Sequence, residues 1–220
     1  MKLDTHIIDG TLMCLPPCSF RPALRKVQAI ARDERCSNTV LSAIIGNDPG
    51  MALLVLSRAN FAHDSDEGFL GISSAINRLG LGGTAALLDE ITVIPEHLIR
   101  PLGANWASAS AAVTMSRLLL YRVNGALFPS PHDRDIVAAC AVLFDLGTIL
   151  AIRGFGEQCT LAGQRLAADE DSFPSLLGEE LGMSPGELAK RHVSHWGLPA
   201  SIAEALAQQY QPIPEGRDPL

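Results

Sequence analysis

The stretch AACAVLFDLGTIL, residues 138–150, decides the fold class of this chain. Apart from Asp145, its residues are small, apolar or compatible with a turn, and this composition predicts a buried helix. A carboxylate inside such a helix costs several kcal/mol unless another group pairs with it. We therefore expect Asp145 to be either a metal ligand or the remnant of a metal site.

The composition of the whole chain points to the same class of fold. Hydrophobic residues make up 47% of the 220 residues and aromatic residues only 5%, while alanine and leucine are abundant. This balance favours helices over sheet. The length is sufficient for a sizeable core in one large domain or in two small packed ones. The sequence therefore predicts an all-α protein.

Charge and hydropathy exclude two classes of partner. The formal net charge is −7, and no cluster of lysine and arginine offsets it locally, which argues against binding to nucleic acid. The N-terminus, MKLDTHIIDG, has no signal pattern, and the longest uninterrupted apolar run, residues 136–144, is shorter than the roughly 20 residues of a membrane-spanning helix. We expect a cytoplasmic protein of bacterial type that binds neither nucleic acid nor membrane.

Helix caps and prolines divide the chain into about ten predicted helices. The predicted caps are Ser19, Ser37, Asp48, Asp133 and Ser184. The predicted helices span residues 19–34, 37–45, 49–60, 72–80, 84–94, 104–122, 134–152, 155–168, 174–181, 185–196 and 199–209. Because prolines bracket a break near residues 95–103, we expect two clusters of helices, over residues 12–100 and 101–212.

Several residue groups resemble metal or phosphate sites, and each has a simpler explanation. The pairs His63-Asp64 and His132-Asp133 lie in predicted loops, where polarity and capping explain them better than ligation. His192 and His195 are three residues apart and could share an ion, but cationic neighbours favour a solvated helix face. The glycines of residues 80–83 indicate a turn, because no lysine and no preceding strand make them a phosphate loop.

The cysteines do not form a recognisable site either. Their number, five, is odd and argues against a disulfide framework. Cys14 and Cys18 flank two prolines, but no second pair of zinc ligands is nearby. No serine or cysteine nucleophile stands in a recognisable arrangement with a base. We expect reduced thiols, no bound metal and no cofactor.

Three blocks of sequence carry a resemblance to a known family. They are LSAIIGNDPGMALLVLSRAN at residues 41–60, ISSAINRLGLGG at 72–83 and HWGLPASIAEALAQQYQP at 195–212. Their order and spacing together resemble the HD-related output domain family, HDOD, over about residues 12–212. The resemblance implies an N-terminal helical bundle packed on a second bundle, which is a degenerate relative of the HD phosphohydrolases. In those enzymes, histidines and aspartates hold metal ions that activate water.

The resemblance also assigns a vestigial cleft in the second bundle. Its residues are Trp106, Ser108, Phe144, Asp145, Gln209 and Tyr210. Phe144 and Asp145 stand where the His-Asp dipeptide of the enzymes would be, and no histidine remains at the other positions. One carboxylate alone binds a hard dication weakly, so we expect no catalytic residue and no metal. Asp145 is expected to be hydrogen-bonded to Ser108, to the Trp106 indole or to a helix N-terminus.

These observations lead to three hypotheses about function. The leading one is a non-enzymatic regulatory module of bacterial signal transduction that acts through protein–protein contacts. The resemblance implies partners such as receiver domains or cyclic-di-GMP enzymes, and a homodimer is also expected. The second hypothesis is a sensor that holds a nucleotide or another small ligand in the vestigial cleft. The third, and least favoured, is a surviving metal-dependent phosphohydrolase.

Overall fold

The structure is a computed structural model that describes residues 3–33, 35–61, 71–123, 130–166 and 171–210. Within these ranges the chain is almost entirely helical, which confirms the all-α prediction. The helices are α1 (Thr5–Met13), α2 (Arg21–Ala31), α3 (Asn38–Ile45), α4 (Pro49–Phe61), α5 (Ile72–Leu88), α6 (Glu96–Val123), α7 (Pro131–Val142), α8 (Leu146–Gly154), α9 (Gly156–Leu166), α10 (Phe173–Leu181), α11 (Pro185–His195) and α12 (Ala200–Ala207). Two short strands, β1 (Cys18–Ser19) and β2 (Thr92–Val93), pair in parallel.

Helices α2 to α5 pack on one another, and α5 contacts each of the other three. Nearly every residue of α4 is buried, as expected for a helix that is apolar all round. The predicted caps of α3 and α4 are confirmed: Ser37 accepts a hydrogen bond from the Val40 amide at 3.3 Å, and Asp48 accepts one from the Met51 amide at 2.9 Å. Helix α5 is kinked at Gly80, whose φ of 72° lies in the left-handed region, so the predicted turn is also present.

The second group of helices, α6 to α12, begins earlier than predicted. The break expected between the two prolines is wrong, because α6 starts at Glu96 and contains Pro101. Its inner stripe, which includes Leu102, Ala109 and Val113, is buried and holds the helix together across the proline. The division of the chain into domains at residues 12–100 and 101–212 stays a prediction.

The single helix predicted for residues 134–152 is wrong. The chain forms α7 and α8 instead, and Asp145 lies between them with φ 62° and ψ 10°. Aspartate tolerates this left-handed conformation better than most residues. The turn at Asp145 is followed by a close approach of the backbones of α8 and α11. A Cβ atom on Gly147 would lie only 1.7 Å from the carbonyl oxygen of Pro185, so this position of α8 requires glycine.

The start of α7 also differs from the prediction. Ser130, and not Asp133, is the N-cap, and Asp133 is the third residue of a reciprocal capping box with Ser130. The pair His132-Asp133 therefore belongs to the first turn of a helix and not to a loop. The side chain of His132 and the whole of the pair His63-Asp64 lie outside the residues that the structure describes.

The N-terminal segment contributes two elements that the sequence pattern did not predict. Helix α1 packs on α11 and α8 of the second group, where Arg191 donates to both carboxylate oxygens of Asp9 at 2.9 and 3.0 Å. Strand β1 follows α1 and pairs with β2, and Ser19 lies in this strand and does not cap α2. A small core at the junction of the two helix groups packs beside these strands. It consists of Cys18, Ile94, Leu102 and Ile149.

One segment of the described chain is long and apolar enough to cross a membrane by length and composition. It spans Asp133–Gly154 with a mean hydropathy of 2.1, and half of its most apolar window is buried inside the fold. Core helices of soluble proteins meet the same criteria, so this is weak evidence for a membrane span. In the structure the segment consists of α7 and α8, which are separated by the turn at Asp145.

Candidate functional site

Asp145 lies in a small polar cluster between α8 and the end of α12, which we call the Asp145 cluster. The Tyr210 hydroxyl donates a short hydrogen bond to Asp145 Oδ1. Gln209 Nε2 lies 3.5 Å from the same oxygen, and Thr148 Oγ1 lies 3.5 Å from the Tyr210 hydroxyl. The structure thus brings together three of the six residues assigned to the vestigial cleft and adds Thr148, which is buried.

The Tyr210 hydroxyl acts as a permanent donor in this cluster. Burial raises the pKa of Tyr210 well above its ordinary value, and the hydrogen bond to the Asp145 carboxylate raises it further. The phenol is therefore protonated at any physiological pH, and it has a proton to give to the carboxylate. Asp145 is a hydrogen-bonded acceptor and not a free carboxylate.

The side chains around Asp145 do not fit a catalytic metal site. Phe144 offers no donor atom at the position where the dipeptide of the related enzymes supplies a histidine, and one oxygen of Asp145 is already bound by Tyr210. In the described parts of the chain, no group of three or more histidine, cysteine, aspartate or glutamate side chains is placed to hold a metal ion. A hard dication needs several oxygen ligands around it.

Trp106 does not join the Asp145 cluster, so the expected hydrogen bond between its indole and Asp145 is wrong. Its indole Nε1 donates instead to Asp48 Oδ2 at 3.1 Å. The expected bond to a helix N-terminus is also wrong for α8, because Asp145 stands at the N-cap of that helix and its side chain accepts no cap hydrogen bond. Asp145 stands in the left-handed turn before α8, and its carboxylate contacts Tyr210 after the end of α12. Ser108 is half-buried on α6 and makes no hydrogen bond to Asp145 among the described residues. Phe144 is half-buried in the turn itself.

Asp48 is the centre of a second polar cluster, at the junction of the two helix groups. Besides Trp106, the Ser19 hydroxyl donates to Asp48 Oδ2 at 2.6 Å, and the amides of Gly50 and Met51 donate to the same carboxylate. Burial raises the pKa of Asp48, while its hydrogen bonds act in the opposite direction. This set of donors leaves few acceptor sites for a ligand, so the Asp48 cluster connects structural elements and does not bind substrate.

A third set of titratable groups lies next to the Asp48 cluster. His192 is 1% exposed, and its Nδ1 atom has no hydrogen-bond partner in the described part of the chain. Burial lowers its pKa to about 3, and the charges of Arg153 and His195 lower it as well, against the effect of a hydrogen bond to the Leu12 backbone. The expectation of a solvated helix face is therefore wrong for His192, although it is right for the exposed His195.

The space between these groups is too small for a substrate. A cavity of about 10 Å³ is lined by Cys18, Trp106, Arg153 and His192, among others. This volume is at the lower limit for a single water molecule. Burial raises the pKa of the Cys18 thiol to about 11, so the sulfur is protonated and a poor nucleophile.

Two larger grooves lie on either side of the Asp145 cluster. One, of about 460 Å³, runs between α10 and the start of α11 and reaches Tyr210. The other, of about 540 Å³, runs between α6 and helices α8 to α10 and reaches Thr148. Both volumes fall in the range of small-molecule sites. No histidine, lysine or arginine lines either groove.

Sequence reasoning missed Asp48 as a hub and Thr148 as part of the Asp145 cluster. The Asp48-Pro49 pair carried a signal for a helix cap, and the cap is present. Nothing in the pattern indicated that the second carboxylate oxygen would receive Ser19 and Trp106, since these residues are 29 and 58 positions away.

Comparisons with known proteins agree with this architecture. The family model for the HDOD domain matches residues 18–212. A crystal structure of the MmoQ response regulator from Methylococcus capsulatus str. Bath, fragment 20–298, is 19% identical with a TM-score of 0.69, covering 90% of this chain and 75% of that one. A second crystal structure of MmoQ is 18% identical with a TM-score of 0.73, covering 93% and 80%. At these identities the likeness shows the fold alone. No curated protein matches the chain significantly.

We predict that the two tryptophans differ in what their N–H groups contribute to stability. Trp106→Phe removes a donor to a buried carboxylate and should lower the free energy of unfolding by about 1.5–3 kcal/mol, the usual value for a hydrogen bond to a charged group. Trp196→Phe is the matched control, because the Trp196 Nε1 atom has no acceptor in the described residues. Urea unfolding of both variants measures the difference. Equal losses would show that the Asp48–Trp106 bond contributes nothing.

We also predict that His192 makes the fold sensitive to mild acid. Its pKa falls from 6.5 to about 3 on folding, so the unfolded chain takes up the proton first as the pH falls. The contribution of neutral His192 to the free energy of unfolding is therefore fully present above pH 6.5. Below that pH it is lost by about 1.4 kcal/mol per pH unit. Urea unfolding between pH 7.5 and 5 should show this slope for the native chain and a smaller one for His192→Gln.

Subtraction of the two slopes isolates His192 from the other titrating groups. Asp48 acts in the opposite direction, because its raised pKa stabilises the fold as the pH falls. Asp48 is present in both proteins, so its contribution to the pH dependence cancels when one slope is subtracted from the other. If the native chain and His192→Gln lose stability in parallel, His192 is protonated in the folded state and the prediction is wrong.

Proposed function

The chain belongs to the HDOD domain family, and we propose that it is a regulatory output module of signal transduction that acts through protein–protein contacts and not by metal-dependent hydrolysis. The observation that carries the proposal is the hydrogen bond from Tyr210 to Asp145. In a metal-dependent hydrolase, an aspartate at this position would be free to hold an ion that activates water. Here the carboxylate is paired with a protonated phenol.

The proposed partners are other components of a bacterial signalling pathway in the cytoplasm. The resemblance to the family suggests receiver domains and cyclic-di-GMP enzymes, which HDOD domains accompany. The solved relatives are described as a response regulator, and this chain covers 75% and 80% of their lengths. The net charge of −7 supports a protein partner over nucleic acid, because no basic cluster offsets it.

The hydrolytic alternative makes a measurable claim about metal content. We expect the chain, purified without chelator, to contain far less than one equivalent of iron, manganese or zinc by elemental analysis, because Phe144 and Tyr210 offer no suitable ligand set. Hydrolysis of a generic phosphodiester should be the same for the native chain and for Asp145→Ala. The opposite result would be stoichiometric metal and phosphodiesterase activity in the native chain, with both lost in Asp145→Ala. That result would establish a phosphohydrolase.

A second candidate function is a small-ligand sensor, and the groove beside Tyr210 favours it. Its lining includes the hydroxyls of Ser172, Ser175 and Ser184, which could hydrogen-bond a ligand without any chemistry. The Asp145 cluster lies at one end of this groove, so a bound ligand would contact the remnant of the enzyme site.

Thermal-shift measurements distinguish the sensor from the contact module. We expect no stabilisation by cyclic dinucleotides or common nucleotides, and we expect capture from the source cell to recover a signalling protein. A ligand present at one hundred times its dissociation constant would add about 2.7 kcal/mol to the free energy of unfolding. If a ligand gives a shift of that size, and if Ser184→Ala and Tyr210→Phe reduce it, the chain is a small-ligand sensor and the proposal of a contact module is wrong.

A further inference from the structure

A cleft of about 310 Å³ lies between the two groups of helices, and we call it the inter-group cleft. Its walls come from α3 and the start of α5 in the first group and from α6 and α7 in the second. The volume is in the range of small-molecule sites, which often lie between packed helices. None of the described residues that line it belongs to the Asp48 cluster, to the Asp145 cluster or to the two grooves beside the latter.

Arg117 supplies a positive charge to this cleft. Its guanidinium reaches from α6 to the end of α3, where Nη2 lies 3.5 Å from the position that a Cβ atom on Gly46 would take. In the described part of the chain, the guanidinium has no hydrogen-bond acceptor and no carboxylate partner. Arg32 and Arg58, by contrast, each hold a carboxylate oxygen, at 2.6 and 2.7 Å. The planar N–H donors of Arg117, which match the geometry of a carboxylate, are therefore available to a ligand.

Asp135 places a negative charge at a different point of the cleft. A Cβ atom on Gly71, the N-cap residue of α5, would lie 2.8 Å from Asp135 Oδ2, so the carboxylate stands at the N-terminus of that helix. This position suits a negative charge, because the helix dipole is positive there. Asp135 forms no ion pair with Arg117 among the described residues. An anionic group is therefore attracted to the Arg117 end of the cleft and repelled from the Asp135 end.

The rest of the lining is uncharged and mostly apolar. Ala43, Val113 and Ala139 contribute methyl groups from three different helices. The hydroxyls of Ser42 and Ser116 donate to backbone carbonyls of their own helices, at 3.2 and 2.9 Å. Among the described lining residues, Arg117 is the only cation. The cleft therefore matches one negative charge on an apolar body, and a doubly charged phosphate would keep one charge without a partner.

We propose that the inter-group cleft binds a small monocarboxylate with an apolar body. Arg117 donates two N–H groups to the carboxylate, and the apolar body lies against Val113 and Ala139. Because the walls belong to both groups of helices, the bound ligand joins the two groups at a second point besides Asp48. This site does not depend on the proposed function, since its described lining contains no residue of the Asp145 cluster.

Isothermal titration calorimetry of the full chain tests the charge preference of the cleft. The probe is phenylacetate, and phenylacetamide is its neutral analogue of the same shape. For so small a ligand we expect a dissociation constant on the order of 1 mM for phenylacetate. Phenylacetamide should bind at least tenfold more weakly, because it cannot form the charged pair with Arg117. Phenyl phosphate, which carries a second negative charge, should also bind more weakly than phenylacetate.

Three variants locate the bound phenylacetate. Arg117→Gln removes the charge and should weaken binding at least tenfold. The matched control is Arg100→Gln, which should leave binding unchanged, because Arg100 is exposed on the same helix and does not line the cleft. Ala43→Phe fills the cleft from α3 while Arg117 stays in place, and it should abolish binding. Far-UV circular dichroism and urea unfolding establish that the variants fold.

Several results would overturn the proposal. The native chain alone provides three of them: no binding of phenylacetate at about 10 mM, ten times the expected dissociation constant, equal binding of phenylacetamide, or equal or tighter binding of phenyl phosphate. These comparisons do not require any variant to fold. Binding of phenylacetate that is unchanged by Arg117→Gln, or unchanged by Ala43→Phe, would show that the ligand lies elsewhere and would overturn the proposal as well.

Discussion

The buried carboxylate of Asp48 is the constraint on which the rest of this structure depends. It receives hydrogen bonds from β1, from the first turn of α4 and from α6, three segments that are distant in sequence. A buried carboxylate with unmet acceptors is costly, so all three segments are held at hydrogen-bonding distance from one point. Because α4 is the most completely buried helix of the first group and α6 begins the second, this point fixes how the two groups meet.

The Asp145 cluster is a structural connection between two segments that are distant in sequence. A phenol after α12 donates a hydrogen bond to a carboxylate before α8, and this bond joins the two segments. The left-handed backbone at Asp145 aims the carboxylate toward Tyr210, and the close contact of Gly147 with Pro185 holds that turn in place.

Sequence reasoning predicted the class of fold and most helices, because periodicity and caps act over a few residues. Ser37, Asp48 and Ser184 cap helices as predicted, and the family resemblance was confirmed over residues 18–212. The errors arose where distant contacts override local preference. The turn at Asp145 depends on the approach of α11, and the continuity of α6 through Pro101 depends on its buried inner stripe. Of the residues assigned to the vestigial cleft, Gln209 and Tyr210 lie beside Asp145, whereas Trp106 is part of the Asp48 cluster.

The position of α1 constrains the order in which the chain can fold. Its partner helix, α11, lies at the other end of the sequence, and the ion pair between Asp9 and Arg191 joins residues 182 positions apart. During synthesis, α1 leaves the ribosome first but cannot dock until α11 has followed. Helices α2 to α5 contact mainly each other and can assemble in the meantime. Contacts between residues so far apart in sequence are typical of slow folding steps. Until then the apolar side chains of Ile8 and Leu12, which are buried in the native fold, are exposed to solvent.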